Sequence, residues 1–365
     1  MKVTRFRTYR FVLPLCKPLV VRDCRMTKRE GRILELATDT GHCALGEVSP
    51  LPGVSEEDTG RVDREVAELK SAVMGSDLPK DLDGFTGGVE RWLNRPPLAP
   101  SVRFGFETAL LGLIAADQGV ALSRLISDSP RAEVTVNALL AGPSDVVLSE
   151  VSRLLDEGYG TFKLKVGGRS LEETIRLGRE VRDRIGPTAV LRLDANRAWT
   201  VDETLRVSRS LFPVHIDYIE EPVQTEAMLA ELLAHPDSSI PVALDESLWQ
   251  ADPERIPFSP KVEALVLKPT MLGLERTVRL AQRAVRLGRK AVVSSSFESG
   301  FGLRVLSHLA ASLNHRDVPA GLGTGAWFQR DLLVDPPVVR NGRLPVVDLP
   351  HSLEGLKGDG LERWK

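Results

Sequence analysis

Three acids close short β-prone runs at nearly constant spacing, and this rhythm restricts the fold more than anything else in the chain. Asp194 ends the run in L-R-L-D-A-N-R-A-W (191–199). Glu220, in Y-I-E-E-P (218–222), follows 26 residues later, and Asp245, in V-A-L-D-E (242–246), 25 after that. Each interval holds a loop, a helix and a return, which is the βαβ rhythm of a parallel sheet or barrel. One acid at a strand end is usually a helix cap or a solvated turn residue. Three in register converge on one mouth.

From Val134 onward strands are expected at 134–140, 161–166, 190–194, 218–220, 241–245, 264–268 and 291–295, with a weak eighth near 320–323. Amphipathic helices fit between them, for instance 171–185, 226–234 and 275–287. The expected fold is α/β, a (β/α)7β-type modified TIM barrel over residues 126–330, with an open doubly wound sheet as the alternative. Residues 1–125 read as an α+β capping domain. It has strands at 4–13, 32–38 and 43–48, a hairpin turn at Asp39-Thr40-Gly41, and helices at 56–74 and 102–118. Pro14 to Gly31 is Arg-rich without a clear period and is expected to be a lid loop. Residues 331–365 are expected to pack back on the capping domain.

The 365 residues carry a formal charge of −2 and a pI near 6.4. This gives no basic field for nucleic acid and no polybasic patch for a membrane. Phe11 to Leu15 is cut short by Lys17 and Pro18 and makes no signal peptide. Cys16, Cys24 and Cys43 are odd in number and form no CxxC pair, so they read as reduced thiols of a cytoplasmic protein. A small molecule is the expected partner, and the sequence does not give the oligomeric state.

Asp194, Glu220 and Asp245 offer hard oxygen donors only, which selects Mg²⁺ or Mn²⁺ over zinc. Lys163 and Lys165 share one strand face because side chains alternate, and Lys268 ends a later apolar strand. Alone, each lysine is a solvated edge charge; together they face the same mouth as the acids. Removing a proton next to a carboxylate needs a cation to hold the resulting charge and a lysine to take the proton. Other signals fail. Gly321-Leu322-Gly323-Thr324-Gly325 lacks the dinucleotide spacing and the ribose-binding acid. Ser294-Ser295-Ser296 has no histidine beside it to make a nucleophile. The six histidines, His42, His215, His235, His308, His315 and His351, are scattered and read as surface or packing residues.

Together these motifs resemble the enolase superfamily, in its muconate lactonizing enzyme-like subgroup, and within it the o-succinylbenzoate synthase family. In the barrel the likeness comprises K-L-K (163–165), L-R-L-D-A-N-R-A-W, E-E-P (220–222), D-E-S-L (245–248), L-K-P-T (267–270), S-S-S-F-E-S (294–299) and the glycine turn at Gly321. In the first domain it includes G-E-V-S-P-L-P-G (46–53) and P-S-V-R-F-G (100–105). The resemblance implies a lyase of menaquinone biosynthesis, in which 2-succinyl-6-hydroxy-2,4-cyclohexadiene-1-carboxylate loses water in a syn elimination to 2-succinylbenzoate through a metal-stabilised ene-diolate. It implies that Lys165 takes the α-proton, that Lys268 stabilises the anion as a cation, and that Lys163 supports Lys165. It also implies Asp194, Glu220 and Asp245 as Mg²⁺ ligands, and Arg192, Ser294 and Gly321 along the substrate pocket. The 14–31 stretch would be the lid over the mouth. An N-succinylamino acid or N-acylamino acid racemase on the same scaffold is the alternative, since two opposed lysines also serve racemisation.

Overall fold

A computed structural model describes residues 1–249, 256, 258–314, 316–357 and 360–364. The chain opens with a long antiparallel hairpin of β1 (Val3–Val21) and β2 (Cys24–Thr38), and β3 (Cys43–Val48) adds to the far side of β2. The expected turn at Asp39–Gly41 is there, with Gly41 at φ +87°. α1 (Thr59–Val73), the short α2 (Val89–Trp92) and α3 (Pro100–Gln118) follow. α3 is buried along most of its length and crosses β3 closely. A Cβ on Gly46 would stand 1.8 Å from the Gly105 carbonyl oxygen, so no side chain fits there.

The expected lid loop at 14–31 is corrected: it is the distal half of the β1–β2 hairpin. Pairing runs from Val3 to Val21, with a register shift between Pro14 and Leu19 and a turn where Arg22 takes φ +50°. Near the tip Cys16, Lys17, Pro18, Val20, Arg25 and Lys28 are all exposed. Leu15, Leu19 and Met26 are buried, but they are too sparse to show an apolar alternation, and pairing there rests on main-chain hydrogen bonds that composition does not reveal.

The barrel follows as β4 (Glu133–Thr135), β5 (Ala138–Leu140), α4 (Ser144–Asp156), β6 (Thr161–Lys165), α5 (Leu171–Ile185), β7 (Val190–Asp194), α6 (Val201–Leu211), β8 (Ile216–Glu220), α7 (Glu226–Ala234) and β9 (Val242–Leu244). Then come β10 (Val262–Leu267), α8 (Pro269–Leu272), α9 (Leu274–Arg286), β11 (Lys290–Val293) and α10 (Gly300–Ser312). β5 to β11 form one parallel sheet in chain order. Parallel bridges Val136–Ala320 and Ser294–Gly321 join its two edges. The ring is thus closed by an eighth segment of two residues, which excludes the open doubly wound sheet. The strand expected at 134–140 is divided: β4 pairs with β12 (Arg343–Pro345), while Val136 meets Ala320 and β5 pairs with β6 in the ring. β13 (Leu361–Trp364) pairs antiparallel with β1.

Alternation decides what the ring presents inward. On β6 and β7, Phe162, Leu164, Leu191 and Leu193 join one buried cluster with the helix residues Val151, Leu177, Val181 and Val207. Period two then turns Lys163, Lys165, Arg192 and Asp194 to the inner face. The helices covering the outside are well specified. In α5, Ser170 caps by accepting from the Glu173 amide, and Thr174, Leu177, Gly178, Val181 and Ile185 make the buried stripe. In α6, Thr200 and Glu203 form a reciprocal capping box.

Candidate active site

Asp194 and Glu220 are the last residues of β7 and β8, and Asp245 directly follows β9, so three adjacent strands deliver three acids to one rim. Asp194 and Glu220 are register partners, as are Lys165 and Asp194. Counting round the closed ring, β6 and β10 are four positions apart out of eight. Lys165, ending β6, and Lys268, following β10, therefore stand on opposite sides of the barrel, and the three acids occupy the arc between them.

All three acids are fully buried. Lys163 Nζ donates to Glu220 Oε1 at 2.7 Å and lies 2.8 Å from Asp194 Oδ2. Lys165 Nζ donates to the same Asp194 oxygen at 2.7 Å and to Asn196 Oδ1 at 2.8 Å. Lys268 Nζ donates to Asp245 Oδ2, and Trp249 Nε1 donates to Asp245 Oδ1 at 3.2 Å. Burial alone would lower Lys163 and Lys268. For Lys163 the charges of Asp194, Glu220 and Asp245 outweigh it, and for Lys268 those of Asp245 and Glu246, so both ammoniums are held above the usual lysine range. Burial pushes the Asp194 carboxyl up, but Lys163 and Lys165 overcome this and hold it well below the usual range. Glu220 goes the other way. Burial and the neighbouring Asp194 raise it to about 8, and its Oε2 is buried without a hydrogen-bond partner. Glu246 follows it, raised to about 7 by burial and Asp245, with Oε2 again unpartnered.

The site therefore gathers four carboxyls, Asp194, Glu220, Asp245 and Glu246, against three lysines, and two of the four are pushed towards neutrality for want of a further cation. A hard divalent cation would fill that want, and the carboxylate oxygens of Asp194, Glu220 and Asp245 are donors of the type it takes. As the side chains stand, the lysine ammoniums lie on the acids. Among the described residues no three histidine, cysteine, aspartate or glutamate side chains are gathered closely enough to enclose a metal.

The other expected pocket residues divide. Ser294 and Gly321 meet across the bridge that closes the barrel, and a Cβ on Gly321 would stand 2.6 Å from Ser294 Oγ. Arg192 is not brought to the mouth group. It is buried one layer below Asp194, its guanidinium 5.0 Å from the Tyr218 ring centroid, donating to Asp217 Oδ2 at 3.1 Å and to the Pro319 carbonyl at 2.9 Å. Lys290 also donates to Asp217 at 2.6 Å, at the foot of the barrel. A long side chain two residues before the strand end reaches the lower layer, where Asp217 is available. Of the histidines, His308 is buried against the Val347 carbonyl, and His315 lies outside the described residues.

The hairpin reaches the mouth. Leu15 bridges Phe328, the Lys17 ammonium lies 4.4 Å from the Trp327 ring, and Arg22 lies 6.0 Å from the Trp249 ring, which also faces Lys268 at 5.8 Å. Residues beside the acids that sequence reasoning did not single out are Asn196, Arg197, Glu221, Glu246 and Ser247. All lie inside the quoted motif strings, but only their partners, brought together by the sheet, give them roles.

Residues 146–356 match the family described as "Enolase C-terminal domain-like", and residues 3–113 that described as "MenC, N-terminal domain". The o-succinylbenzoate synthase of Vibrio cholerae is 34% identical over 362 residues, covering 94% of this chain and 95% of its own. Two solved structures share the fold. The L-Ala-D/L-Glu epimerase of Bacillus subtilis has a TM-score of 0.85 at 22% identity, covering 98% of this chain and 99% of its own. The N-succinyl Arg/Lys racemase of Bacillus cereus has a TM-score of 0.83 at 23% identity, covering 98% and 95%. No helix of the described residues is long and apolar enough to cross a membrane. The chain belongs to the enolase superfamily, in its o-succinylbenzoate synthase family, and is an enzyme of the lyase class.

Proposed function

We propose that this enzyme dehydrates 2-succinyl-6-hydroxy-2,4-cyclohexadiene-1-carboxylate to 2-succinylbenzoate in menaquinone biosynthesis, with Mg²⁺ or Mn²⁺ held by Asp194, Glu220 and Asp245. The observation that carries the reading is the placement of Lys165 and Lys268 across the ring, with the three acids between them. Enolase superfamily enzymes generally use divalent metal ions. When bound, such an ion supplies positive charge to the substrate carboxylate, which lowers the cost of ionising the adjacent C–H bond.

The remaining work falls to side chains. Lys165 accepts the α-proton and returns a proton to the departing hydroxyl on the same face, so that water leaves and the ring becomes aromatic. Lys268 stays an ammonium, as the acids around it require, and holds negative charge from the opposite face. Lys163, bridging Asp194 and Glu220, opposes the protonation that burial favours at Glu220 and holds the two acids in register. The hairpin tip closes the mouth against water. Ser294, beside Gly321, offers a hydroxyl to the succinyl chain. The unpaired thiols Cys16, Cys24 and Cys43 support a cytoplasmic setting.

The opposed lysines, and the fold shared with an N-succinyl Arg/Lys racemase, favour one second reading, racemisation of an N-succinylamino acid. Ultraviolet turnover of the cyclohexadiene carboxylate with Mg²⁺, run beside polarimetry on an N-succinylamino acid, separates the two. Metal-dependent aromatisation that falls at least about a thousandfold in Lys165→Ala supports the synthase. Racemisation without aromatisation replaces it with the second reading.

A further inference from the structure

The second glutamate of the E-E-P string has its own network, and it ties together the three strand ends that carry the acids. Glu221 is buried, with 2% of its surface exposed. Its Oε1 accepts from the main-chain amides of Asp245 and Ser247, both at 2.7 Å. Its Oε2 accepts from Ser247 Oγ and from Arg197 Nε, both at 2.9 Å. Arg197 in turn donates to Ser247 Oγ at 2.9 Å. One carboxylate thus fills four acceptor sites with donors from the segments following β7 and β9, while its own backbone leaves β8.

The backbone repeats the connection. The Glu221 amide donates to the Ala243 carbonyl at 3.0 Å, and the Arg197 amide donates to the Glu221 carbonyl at 2.7 Å. To make these contacts Glu221 takes φ +40°, and Arg197 takes φ +61°. Side-chain-bearing residues rarely adopt this region, and Pro222 restricts Glu221 further. Such a conformation persists where its surroundings over-determine it, and here it lies one residue from Glu220.

We propose that Glu221 is the positioning residue of the metal site: by clamping the ends of β7, β8 and β9 it sets the separation of Asp194, Glu220 and Asp245. The inference rests on the metal assignment above and gives it a supporting layer. Both Glu221 carboxylate oxygens are taken up by protein donors, so its role is to position and not to ligate. Groups that orient ligands change metal affinity by about ten- to a hundredfold when removed. A glutamine keeps the shape but presents an amide N–H₂ to one of two sets of fixed donors, either the two backbone amides or Arg197 Nε.

The test measures Mn²⁺ affinity of the purified protein by electron paramagnetic resonance of the free ion, with no substrate present. Glu221→Gln, Glu221→Ala and Glu220→Gln are compared with wild type, and metal-free melting and near-ultraviolet circular dichroism are recorded for each. The expected result is a Kd raised about tenfold or more in Glu221→Gln, with unchanged near-ultraviolet spectrum, and at least as large a loss in Glu220→Gln. Wild-type affinity in both Glu221 variants, with affinity lost in Glu220→Gln, overturns the positioning role and leaves the metal assignment standing. Weakened affinity in Glu221→Gln accompanied by loss of the near-ultraviolet spectrum also overturns it, since Glu221 then only supports the fold. Wild-type affinity in Glu220→Gln overturns both.

Discussion

Arg29 Nε donates to the Phe297 carbonyl at 3.1 Å, joining the capping hairpin to the loop that follows Ser294. The guanidinium is buried and also donates to the carbonyls of Pro50 at 2.7 Å, Ser49 at 2.9 Å and Ser296 at 3.4 Å. Phe297 takes φ +62° and stacks edge-on against Trp327, beneath Lys17. Removing the guanidinium leaves four carbonyls without their donor and the charges of Glu47 and Glu298 without a nearby cation. Arg29→Ala should therefore lose about 3–5 kcal/mol, measured by denaturant unfolding. Arg29→Lys, a point charge without the planar fork, should retain the fold while raising KM more than it lowers kcat. A wild-type melting curve for Arg29→Ala would remove the hairpin's anchor from the account.

Glu220 and Glu246 each leave a buried oxygen unpartnered, and both are raised towards neutrality. A cation that relieves this binds the folded chain and not the unfolded one. Magnesium at about a hundred times its Kd should then stabilise the protein by about 2.7 kcal/mol, and chelation should reverse the gain. Glu220→Gln should melt at the same temperature with and without Mg²⁺. Differential scanning calorimetry in Mg²⁺ and in chelator makes the comparison, and equal melting of the wild type in both would count against the site.

The acids, the lysines and α5 and α7 were legible because each depends on local pattern. Strand-end carboxylates recur with the βαβ unit, and the boundaries expected at 171–185 and 226–234 are those observed. The hairpin was not legible, because the buried Leu15, Leu19 and Met26 towards its tip are too sparse to show an alternation and its pairing joins residues such as Leu13 and Arg29. Nor were the buried charges. Glu47 accepts from the amides of Ser299 and Gly302 at the start of α10, both at 3.0 Å, and Arg29 answers main-chain carbonyls across the same interface. Charges that pair with backbone leave no complementary residue in the sequence to betray them. Arg192 shows the converse: a motif position gives a residue's strand and face, but not which end of the barrel its side chain seeks.

Glu107, in the middle of α3, receives the amides of Leu274 at 2.7 Å and Glu275 at 3.0 Å, capping α9 from the other domain. Burial raises its carboxyl to about 8, partly opposed by Arg103. The folded chain therefore keeps a proton that the unfolded chain, near the ordinary 4.5, releases. The resulting stabilisation is complete below pH 4.5 and is lost as pH rises towards 8, by at most about 5 kcal/mol. Glu107→Gln keeps the capping oxygen and cannot ionise. Its melting temperature should match the wild type near pH 5 and exceed it near pH 8.5 by several degrees. Parallel profiles across that range would show that Glu107 is ionised throughout.

Gly321 forms the last bridge of the barrel opposite Ser294, and its missing side chain gives the serine its place. A Cβ there would lie 2.6 Å from Ser294 Oγ and 3.2 Å from Ser294 Cβ. No positive φ is involved, so the conflict is purely one of space. Gly321→Ala must turn the hydroxyl away or spread the bridge, and overpacking of this kind costs about 1–3 kcal/mol. If the hydroxyl serves the succinyl chain, Gly321→Ala and Ser294→Ala should each raise KM. The double variant should then be less than additive in KM, because both remove the same contact. In stability it should recover part of the Gly321→Ala loss, since the nearer clash has gone while the 3.2 Å contact remains. Additive KM effects in a well-folded double variant would place the succinyl chain away from Ser294.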